Sequence, residues 1–434
     1  MNSLISIAAL LTAIALLFTV KRAFRLQATS LPIIMMSVWV FFIGASLLFL
    51  RGYEWHYSGL LWIIMSCLVV SFGFVFGVRL MNKMPSNVLK REKTQVNTKK
   101  LKRILVVSII LGMVYGAIKV QNFGVSLADI LSLSDLGEVN NQIAVARYSG
   151  TGAYSIFVQF LLSFVYLSAL LGGLLFSAAE TKRDKVLALL SFLPELFMFS
   201  FSNEKATLLI CIFLWLSSYI VSYIRVYGKY PKISLKQIVT GVALIAGIMA
   251  LLITSMMLRI GEVNATNFDI AMQKIGNSYA FSHVAAFDNY YSQERTSSRS
   301  FGTVTFYGLS NFIGINKRSQ GIYNDSFESG NIGTNVFTPF RGLIDDFGVV
   351  GALLFQFIIA LLAGICAHKV KYSTTNPYLS TVFLLGSYSF VLYFVASIFS
   401  YLSIIIAFIF LSVILAFHPL IIRPIKREER SYAA

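Results

Sequence analysis

The sequence predicts an all-α polytopic membrane protein with about eleven transmembrane helices and one large outward-facing loop. The chain has 434 residues, of which 57% are hydrophobic. Hydropathy rises and falls in segments of roughly 17–25 residues, the length that a helix needs to cross ~30 Å of hydrocarbon. Membrane β-barrels instead show short strands of alternating hydropathy. Basic residues are concentrated in alternate connecting segments, as expected for oriented transmembrane helices.

The predicted spans divide the chain into three parts. The spans cover residues 3–20, 31–50, 59–78, 104–120, 153–179, 186–202, 206–224, 237–257, 347–367, 378–400 and 402–420. Residues 1–257 hold the first eight helices and a smaller outer loop at 121–152, residues 258–346 form the large outer loop, and residues 347–434 hold the last three helices and a tail. We expect the first span to be a retained helix, because Lys21, Arg22 and Arg25 follow its apolar stretch, whereas in a signal peptide they would precede it.

The net charge of +17 is explained by membrane orientation and does not require a nucleic-acid partner. Of the 36 Lys and Arg residues, 25 lie in six segments: 21–30, 79–103, 180–186, 225–236, 368–377 and 421–434. By the positive-inside rule these segments are predicted to be cytoplasmic. The densest run, KREKTQVNTKKLKR at 90–103, is typical of an anchor to anionic lipid.

Cysteine and histidine patterns indicate neither a disulfide framework nor a metal site. The three cysteines all lie inside predicted spans. The four histidines are scattered over loops and helix ends, without the close spacing that zinc ligands show. We therefore expect no metal and no cofactor.

The two outer loops carry the candidate functional residues, since long structured loops in compact proteins are usually functional. The smaller loop brings Arg147 and Tyr148 towards the outer mouth of span 5. The large loop has little continuous helix or strand pattern. Its aromatic residues interleave with Arg259, Arg295, Arg299 and acidic groups, a composition that suits either glycan binding or an interfacial aromatic belt. His283 is a candidate general base or, alternatively, a structural histidine.

Two charged residues lie at or near membrane depth. Lys205 falls in the tight turn between spans 6 and 7, where its ammonium either extends to the membrane surface or meets an anionic headgroup. Glu195 follows Pro194 near the centre of span 6, and this proline is predicted to kink the helix. Glu195 is interpreted either as a proton-relay group or as a structural carboxyl.

The most informative stretch is GTNVFTPFRGLIDDFGVVG, residues 333–351. Pro339 is expected to interrupt local helix formation and Gly342 to let the chain turn, which would hold Arg341 just outside span 9. Asp345 and Asp346 are predicted to lie in the first turn of that span, where a carboxylate caps the exposed backbone N–H groups. One of them would then remain to pair with Arg341, organise the loop or accept a proton.

This stretch resembles the corresponding part of Wzy-type O-antigen and oligosaccharide repeat-unit polymerases. The number of spans, the Arg147-Tyr148 loop, the basic hairpin and the large loop before the last spans are similar too. The resemblance implies a GT-C-like, metal-independent glycosyltransferase of the bacterial inner membrane, acting at the periplasmic face. Its donor would be a glycan on undecaprenyl diphosphate and its acceptor a lipid-linked repeat unit, with the product O-antigen or capsular polysaccharide. A chain-length regulator protein is a further expected partner.

In such an enzyme, cationic side chains must neutralise the leaving diphosphate when no metal is present. The catalytic candidates are Arg341, Asp345, Asp346 and His283. The substrate-binding candidates are Arg147, Tyr148, Lys205, Arg259, Arg295, Arg299 and Asn335. The hairpin position departs from related enzymes, which often carry Arg there, because Lys205 keeps the charge without bidentate phosphate binding.

Two other functions remain open at this point. A lipid-linked oligosaccharide flippase is favoured by Glu195 in a kinked span, although such a transporter gains nothing obvious from a long loop on one side. An O-antigen ligase would share the architecture but use the lipid A core as acceptor.

Overall fold

The protein is a bundle of apolar helices capped at one end by shorter helices and a small hairpin. The computed structural model describes residues 2–50, 52–83, 94–122, 156–202, 205–260, 264–293, 299–315, 323, 325–330, 332–373, 376–417 and 422–424. The helices are α1 (Asn2–Ala23), α2 (Leu31–Phe49), α3 (Ser58–Lys83), α4 (Thr98–Asn122), α5 (Ile156–Ala178), α6 (Lys182–Leu189), α7 (Leu193–Ser202), α8 (Lys205–Tyr227), α9 (Leu235–Ile260), α10 (Ala265–Lys274), α11 (Ser282–Ser292), α12 (Tyr307–Phe312), α13 (Pro339–Tyr372), α14 (Tyr378–Leu392) and α15 (Leu402–Phe417). The strands are β1 (Thr94–Val96), β2 (Phe327–Ser329), β3 (Ile332–Thr334) and β4 (Ile422–Pro424).

The helices confirm an all-α polytopic membrane protein. Within the described residues, α1 to α5, α8 and α13 contain segments long and apolar enough to cross a membrane, and α14 and α15 are shorter apolar helices. Every predicted span overlaps a helix of the structure, although the number of crossings stays a prediction. Span 6 is divided, as Pro194 predicts, into α6, a 3₁₀ turn at Leu190–Phe192 and α7.

One end of the bundle is tied together by contacts between predicted cytoplasmic segments. Arg225 at the end of α8 donates to the Ser373 carbonyl at the end of α13, at 2.7 Å. Lys102 near the start of α4 forms an ion pair with Asp184 at the start of α6, at 2.8 Å. Strand β1, which precedes α4, pairs antiparallel with β4, which follows α15. These contacts place the starts of α4 and α6 and the ends of α8, α13 and α15 at one end.

Glycines let α3 and α13 approach each other at backbone distance. A Cβ added to Gly77 would lie 2.1 Å from the Leu361 carbonyl oxygen, and one added to Gly364 would lie 2.1 Å from the Phe74 carbonyl oxygen. Small residues at helix contacts are the usual means of close packing in membranes, where apolar burial alone does not drive helices together. This tight pair fixes α13 in the bundle.

The large outer loop contains more regular structure than the sequence predicts. It forms α10, a π-helical turn at Ile275–Ala280, α11, α12 and the hairpin of β2 and β3, in which Phe327 pairs with Thr334. The sequence gives only a weak helical pattern for α11, because this helix is buried on nearly all sides and therefore lacks the polar face of an amphipathic helix. Helix α11 packs against α2 and α3, and the loop is therefore an integral cap on the bundle.

Candidate active site

The site lies where α13 begins. This is the end of the bundle opposite the Lys102–Asp184 ion pair and the paired strands β1 and β4. Phe340, one residue before Arg341, inserts into the aromatic core. Its ring centroid lies 4.7 Å from that of Trp39 on α2, 5.2 Å from that of Trp62 on α3 and 5.9 Å from that of Phe287 on α11. Since Phe340 is 1% exposed, it fixes the first turn of α13 against three helices.

Arg341 is enclosed by aromatic rings and held by carboxylates. Its guanidinium carbon lies 4.1 Å from the Phe337 ring centroid, 4.2 Å from that of Tyr323 and 4.8 Å from that of Tyr290. Cation–π attraction of this kind strengthens when the cation is removed from water, and the Arg341 side chain is only 10% exposed. Burial also raises the pKa of Tyr323, so its phenol remains neutral beside the cation.

Two carboxylates contact the Arg341 guanidinium. Nη2 donates to both oxygens of Asp325, at 2.8 and 2.9 Å. Nε lies 3.6 Å from Asp345 Oδ2, and Asp345 also accepts a hydrogen bond from the Tyr290 hydroxyl. The Asp325 side chain is 61% exposed against 28% for Asp345. Asp345 is therefore the fixed partner of Arg341, and Asp325 is the one that an incoming anion could replace.

Asp346 organises a neighbouring turn of the large loop, which is one of the roles predicted for the carboxylate that does not cap the helix. It is fully buried and accepts from the Ser300 hydroxyl at 2.6 Å, from Val304 N at 3.0 Å and from Thr305 N at 2.7 Å. A carboxylate that accepts backbone N–H groups satisfies donors that would otherwise be buried without partners. Asp346 thus ties the segment around 300–305 to α13.

Helix α13 starts earlier than predicted and breaks at Gly348. Pro339 does not interrupt a helix but occupies the first turn of α13, where its missing N–H costs nothing. Gly342 is helical, and a Cβ there would approach the Tyr323 hydroxyl at 3.1 Å, so it provides space and not a turn. The break falls at Gly348, with φ 73° and ψ 171°, values that favour glycine. Arg341 therefore lies inside a short helical segment that precedes the long one.

Arg299 supplies a second cation at this break. Its Nε lies 3.5 Å from the position that a Gly348 Cβ would occupy, and the residue is exposed. The next residue, Ser300, donates its backbone N–H to the Asp345 carbonyl at 3.1 Å. Hence the exposed Arg299 adjoins the segment that carries the buried Arg341.

His283 lies in an environment that does not fit a general base. It is fully buried, with ring centroids of Phe42, Phe394 and Trp39 at 4.7, 5.1 and 6.2 Å. Neither imidazole nitrogen has a hydrogen-bond partner among the described residues. Burial lowers its pKa to about 3, which favours the structural alternative.

Several other predicted residues are not placed in this site by the structure. Arg147, Tyr148 and Arg295 lie outside the described residues. Lys205 begins α8 and Arg259 lies in the last turn of α9, but their side chains are outside the described part of the structure. Asn335 is exposed between β3 and α13.

The loop aromatics have divided roles, and sequence reasoning missed part of the site. Phe287 and Tyr290 are core residues, whereas Phe301 and Phe312 are 76% and 55% exposed. Asp325 was not predicted, because a single acidic residue 16 positions before Arg341 gives no periodic or motif signal. Only the folding of the hairpin back onto α13 reveals it.

Glu195 lies apart from the site, inside the bundle. Its side chain is 1% exposed, and it is within electrostatic reach of Tyr166 and Cys211. Within the described residues, no three His, Cys, Asp or Glu side chains are grouped so that they could hold a metal ion.

A scan against protein-family models and searches of curated proteins and of solved structures each found no match.

Proposed function

We propose that the protein polymerises undecaprenyl-diphosphate-linked oligosaccharide repeat units at the periplasmic face of a bacterial inner membrane. The proposal rests on the surroundings of the Arg341 guanidinium. This group is buried among aromatic rings at the start of α13, and the more exposed of its two carboxylate partners is Asp325. A guanidinium presented in this way suits bidentate recognition of a phosphate.

In the proposed reaction, the hydroxyl of the acceptor glycan attacks the anomeric carbon of the donor glycan. The new C–O bond forms while the bond from the anomeric carbon to the diphosphate oxygen breaks, and the electron pair leaves with the lipid diphosphate. Asp345, partly exposed and positioned by Tyr290, accepts the proton of the attacking hydroxyl. Asp346 acts by holding the 300–305 turn in place.

Charge compensation is assigned to the two arginines. The leaving diphosphate gains negative charge in the transition state, and preorganised cations stabilise that charge without solvent reorganisation. Arg341 would exchange Asp325 for a phosphate oxygen, and the exposed Arg299, which lies beside the Gly348 break, would contact the same diphosphate. The proposal assigns the loop aromatics that remain exposed, Phe301 and Phe312, to the glycan.

The test uses Arg341 variants in a strain that lacks the chromosomal gene. Arg341→Ala is expected to abolish long polymer, because loss of one transition-state contact costs roughly 3–4 kcal/mol, or two to three orders of magnitude in rate. Arg341→Lys is expected to restore little, since an ammonium cannot make the bidentate contact. Polymer length is read on gels at matched membrane levels of protein, with the exposed Arg183→Ala as control.

Long polymer of normal amount from a stably inserted Arg341→Ala protein would exclude this role. If Arg341 only holds the loop, the membrane levels of the Arg341→Ala and Asp345→Asn proteins should both fall together with polymer. Loss of polymer at normal protein levels is expected for both variants if the two residues act in the reaction.

A flippase is the second candidate, and the buried Glu195 beside a helix interruption favours it. The same strain separates the two. A missing polymerase leaves single repeat units at the cell surface, whereas a missing flippase strands lipid-linked units on the cytoplasmic face.

A further inference from the structure

An apolar groove lies on the outside of the bundle, far from the candidate active site. It has a volume of about 330 Å³ and lies between α4 and α15, above α5. Both flanking helices pack on α5, which leaves the cleft between them. Phe164 of α5 and Phe410 of α15 both line it, and their rings stack with centroids 5.2 Å apart.

The walls of the groove are aliphatic. Val107 on α4 and Val413 on α15 line it and are 54% and 47% exposed. The lining also includes Ser108, whose hydroxyl donates to the Ile104 carbonyl of its own helix at 3.0 Å. The groove thus offers hydrocarbon contacts along its length and selects an apolar chain.

One end of the groove is basic. Arg103 lines it and is exposed, one turn after the start of α4. The neighbouring Lys102 is neutralised by Asp184, and no acidic residue lines the groove. The pairing of β1 with β4 places the start of α4 beside the end of α15, so this cation stands at the end of the bundle opposite Arg341.

We propose that the groove binds an acyl chain of an anionic phospholipid from the leaflet next to Arg103. The aliphatic walls match the chain, and the Arg103 guanidinium matches the phosphate of the headgroup. The polyprenyl donor of the proposed function fits less well, because its diphosphate would be at the Arg341 end. The groove does not depend on that function.

The test measures thermal unfolding of the purified full-length protein in a neutral detergent. Dioleoylphosphatidylglycerol or dioleoylphosphatidylcholine is added, so that the chains match and only the headgroup differs. Phosphatidylglycerol is expected to raise the midpoint more than phosphatidylcholine does, since a ligand that binds only the folded state stabilises it. Arg103→Gln should remove most of this difference, and Val107→Trp, which fills the groove, should remove the response to both lipids.

Two matched variants serve as controls. Arg183→Gln removes an exposed charge on α6, outside the groove and outside the basic run at 90–103, and Val114→Trp adds the same bulk at an exposed position outside the groove. Both should respond to phosphatidylglycerol as the wild type does. A photoactivatable phosphatidylglycerol is also expected to label wild-type peptides containing residues 103–108 and 410–414, which avoids reliance on variants.

Equal responses to the two lipids, or none, would overturn the proposal. So would a phosphatidylglycerol response that survives in Arg103→Gln and Val107→Trp, or labelling elsewhere on the chain. A dimer that only Val107→Trp disrupts, without a lipid response in the wild type, would assign the groove to a second copy instead.

Discussion

A substitution of Asp325 tests whether the donor diphosphate can replace this carboxylate as a partner of Arg341. The Asp325 carboxylate is 61% exposed, although the Arg341 side chain is only 10% exposed, so water screens the pair from the Asp325 side and Asp345 remains as a second partner of Arg341. Ion pairs screened by water contribute only about 0.2–1 kcal/mol. Asp325→Asn should therefore leave the protein stable and lower the KM for the lipid-linked donor up to about fivefold, because the diphosphate no longer competes with a carboxylate. Kinetics with purified donor and acceptor would measure this effect.

The control is Asp269→Asn, at an exposed position on α10. Asp345→Asn should behave oppositely to Asp325→Asn and lower kcat, since Asp345 is the proposed proton acceptor. An increase in KM for Asp325→Asn would mean that Asp325 helps to bind the donor, and it would contradict the proposal that the diphosphate replaces Asp325 at Arg341.

His283 makes stability sensitive to acid. The folded protein keeps this imidazole neutral down to about pH 3, whereas an unfolded histidine protonates near pH ~6.5. Its contribution to stability is therefore fully present above the unfolded pKa. It is lost as the pH falls from ~6.5 towards about 3, by about 1.4 kcal/mol per pH unit. His283→Phe, which suits the aromatic surroundings, should remove this loss.

Thermal unfolding in detergent at neutral and mildly acidic pH measures the effect, with the exposed His56→Gln as control. The same acid sensitivity in His283→Phe and the wild type would show that another group is responsible.

At the scale of elements, the close contact between α3 and α13 depends on glycines, which have no side chain. Gly77→Ala places a methyl group 2.1 Å from a backbone oxygen, and a backbone cannot yield as a flexible side chain can. Forcing the helices apart should cost about 1–3 kcal/mol. Gly247→Ala in α9 meets nothing within 4 Å and should be neutral or stabilising. The measurement compares the thermal unfolding midpoints of the two variants. Equal midpoints would contradict the claim that α3 and α13 need glycine at their contact.

Elements whose signal is local were predictable from sequence. The apolar spans follow from hydropathy, and the interruption near Pro194 follows from a missing backbone donor. The long segment of α13 after Gly348 begins within two residues of the predicted start of span 9 at residue 347. The short helical segment before it was not predicted, because a proline can either end a helix or occupy its first turn, and only the packing of Phe340 decides between them.

The candidate site was predictable only in part, because its contacts join distant segments. The motif identified Arg341 and Asp345, which form an ion pair one helical turn apart. Asp325 and the rings of Tyr323 and Phe337 reach Arg341 through the folding of a loop that carries no periodic pattern. The sequence predicted that Asp346 accepts hydrogen bonds, but it did not predict which groups donate them, because the donors lie about 40 residues earlier in the chain.

At the scale of the whole molecule, α13 connects the two ends of the bundle. At a rise of 1.5 Å per residue, the part after Gly348, residues 349–372, is ~36 Å long, enough to cross a bilayer. Arg341 lies before its start, and the Ser373 carbonyl, bound by Arg225, lies after its end. Arg341 is thus expected near one headgroup plane and the basic segments near the other.

This arrangement predicts the topology of the chain. A reporter fused after Gly330, at the turn between β2 and β3, should read as periplasmic, because it joins the Arg341 end of the bundle. Fusions at Lys93 and after Arg430 should both read as cytoplasmic, since they flank the paired strands β1 and β4 at the opposite, basic end. Alkaline phosphatase and green fluorescent protein fusions give complementary readouts and control for expression. Opposite signals at Lys93 and Arg430 would contradict the strand pairing, and a cytoplasmic signal at Gly330 would separate the proposed site from a periplasmic substrate and remove the basis of the mechanism.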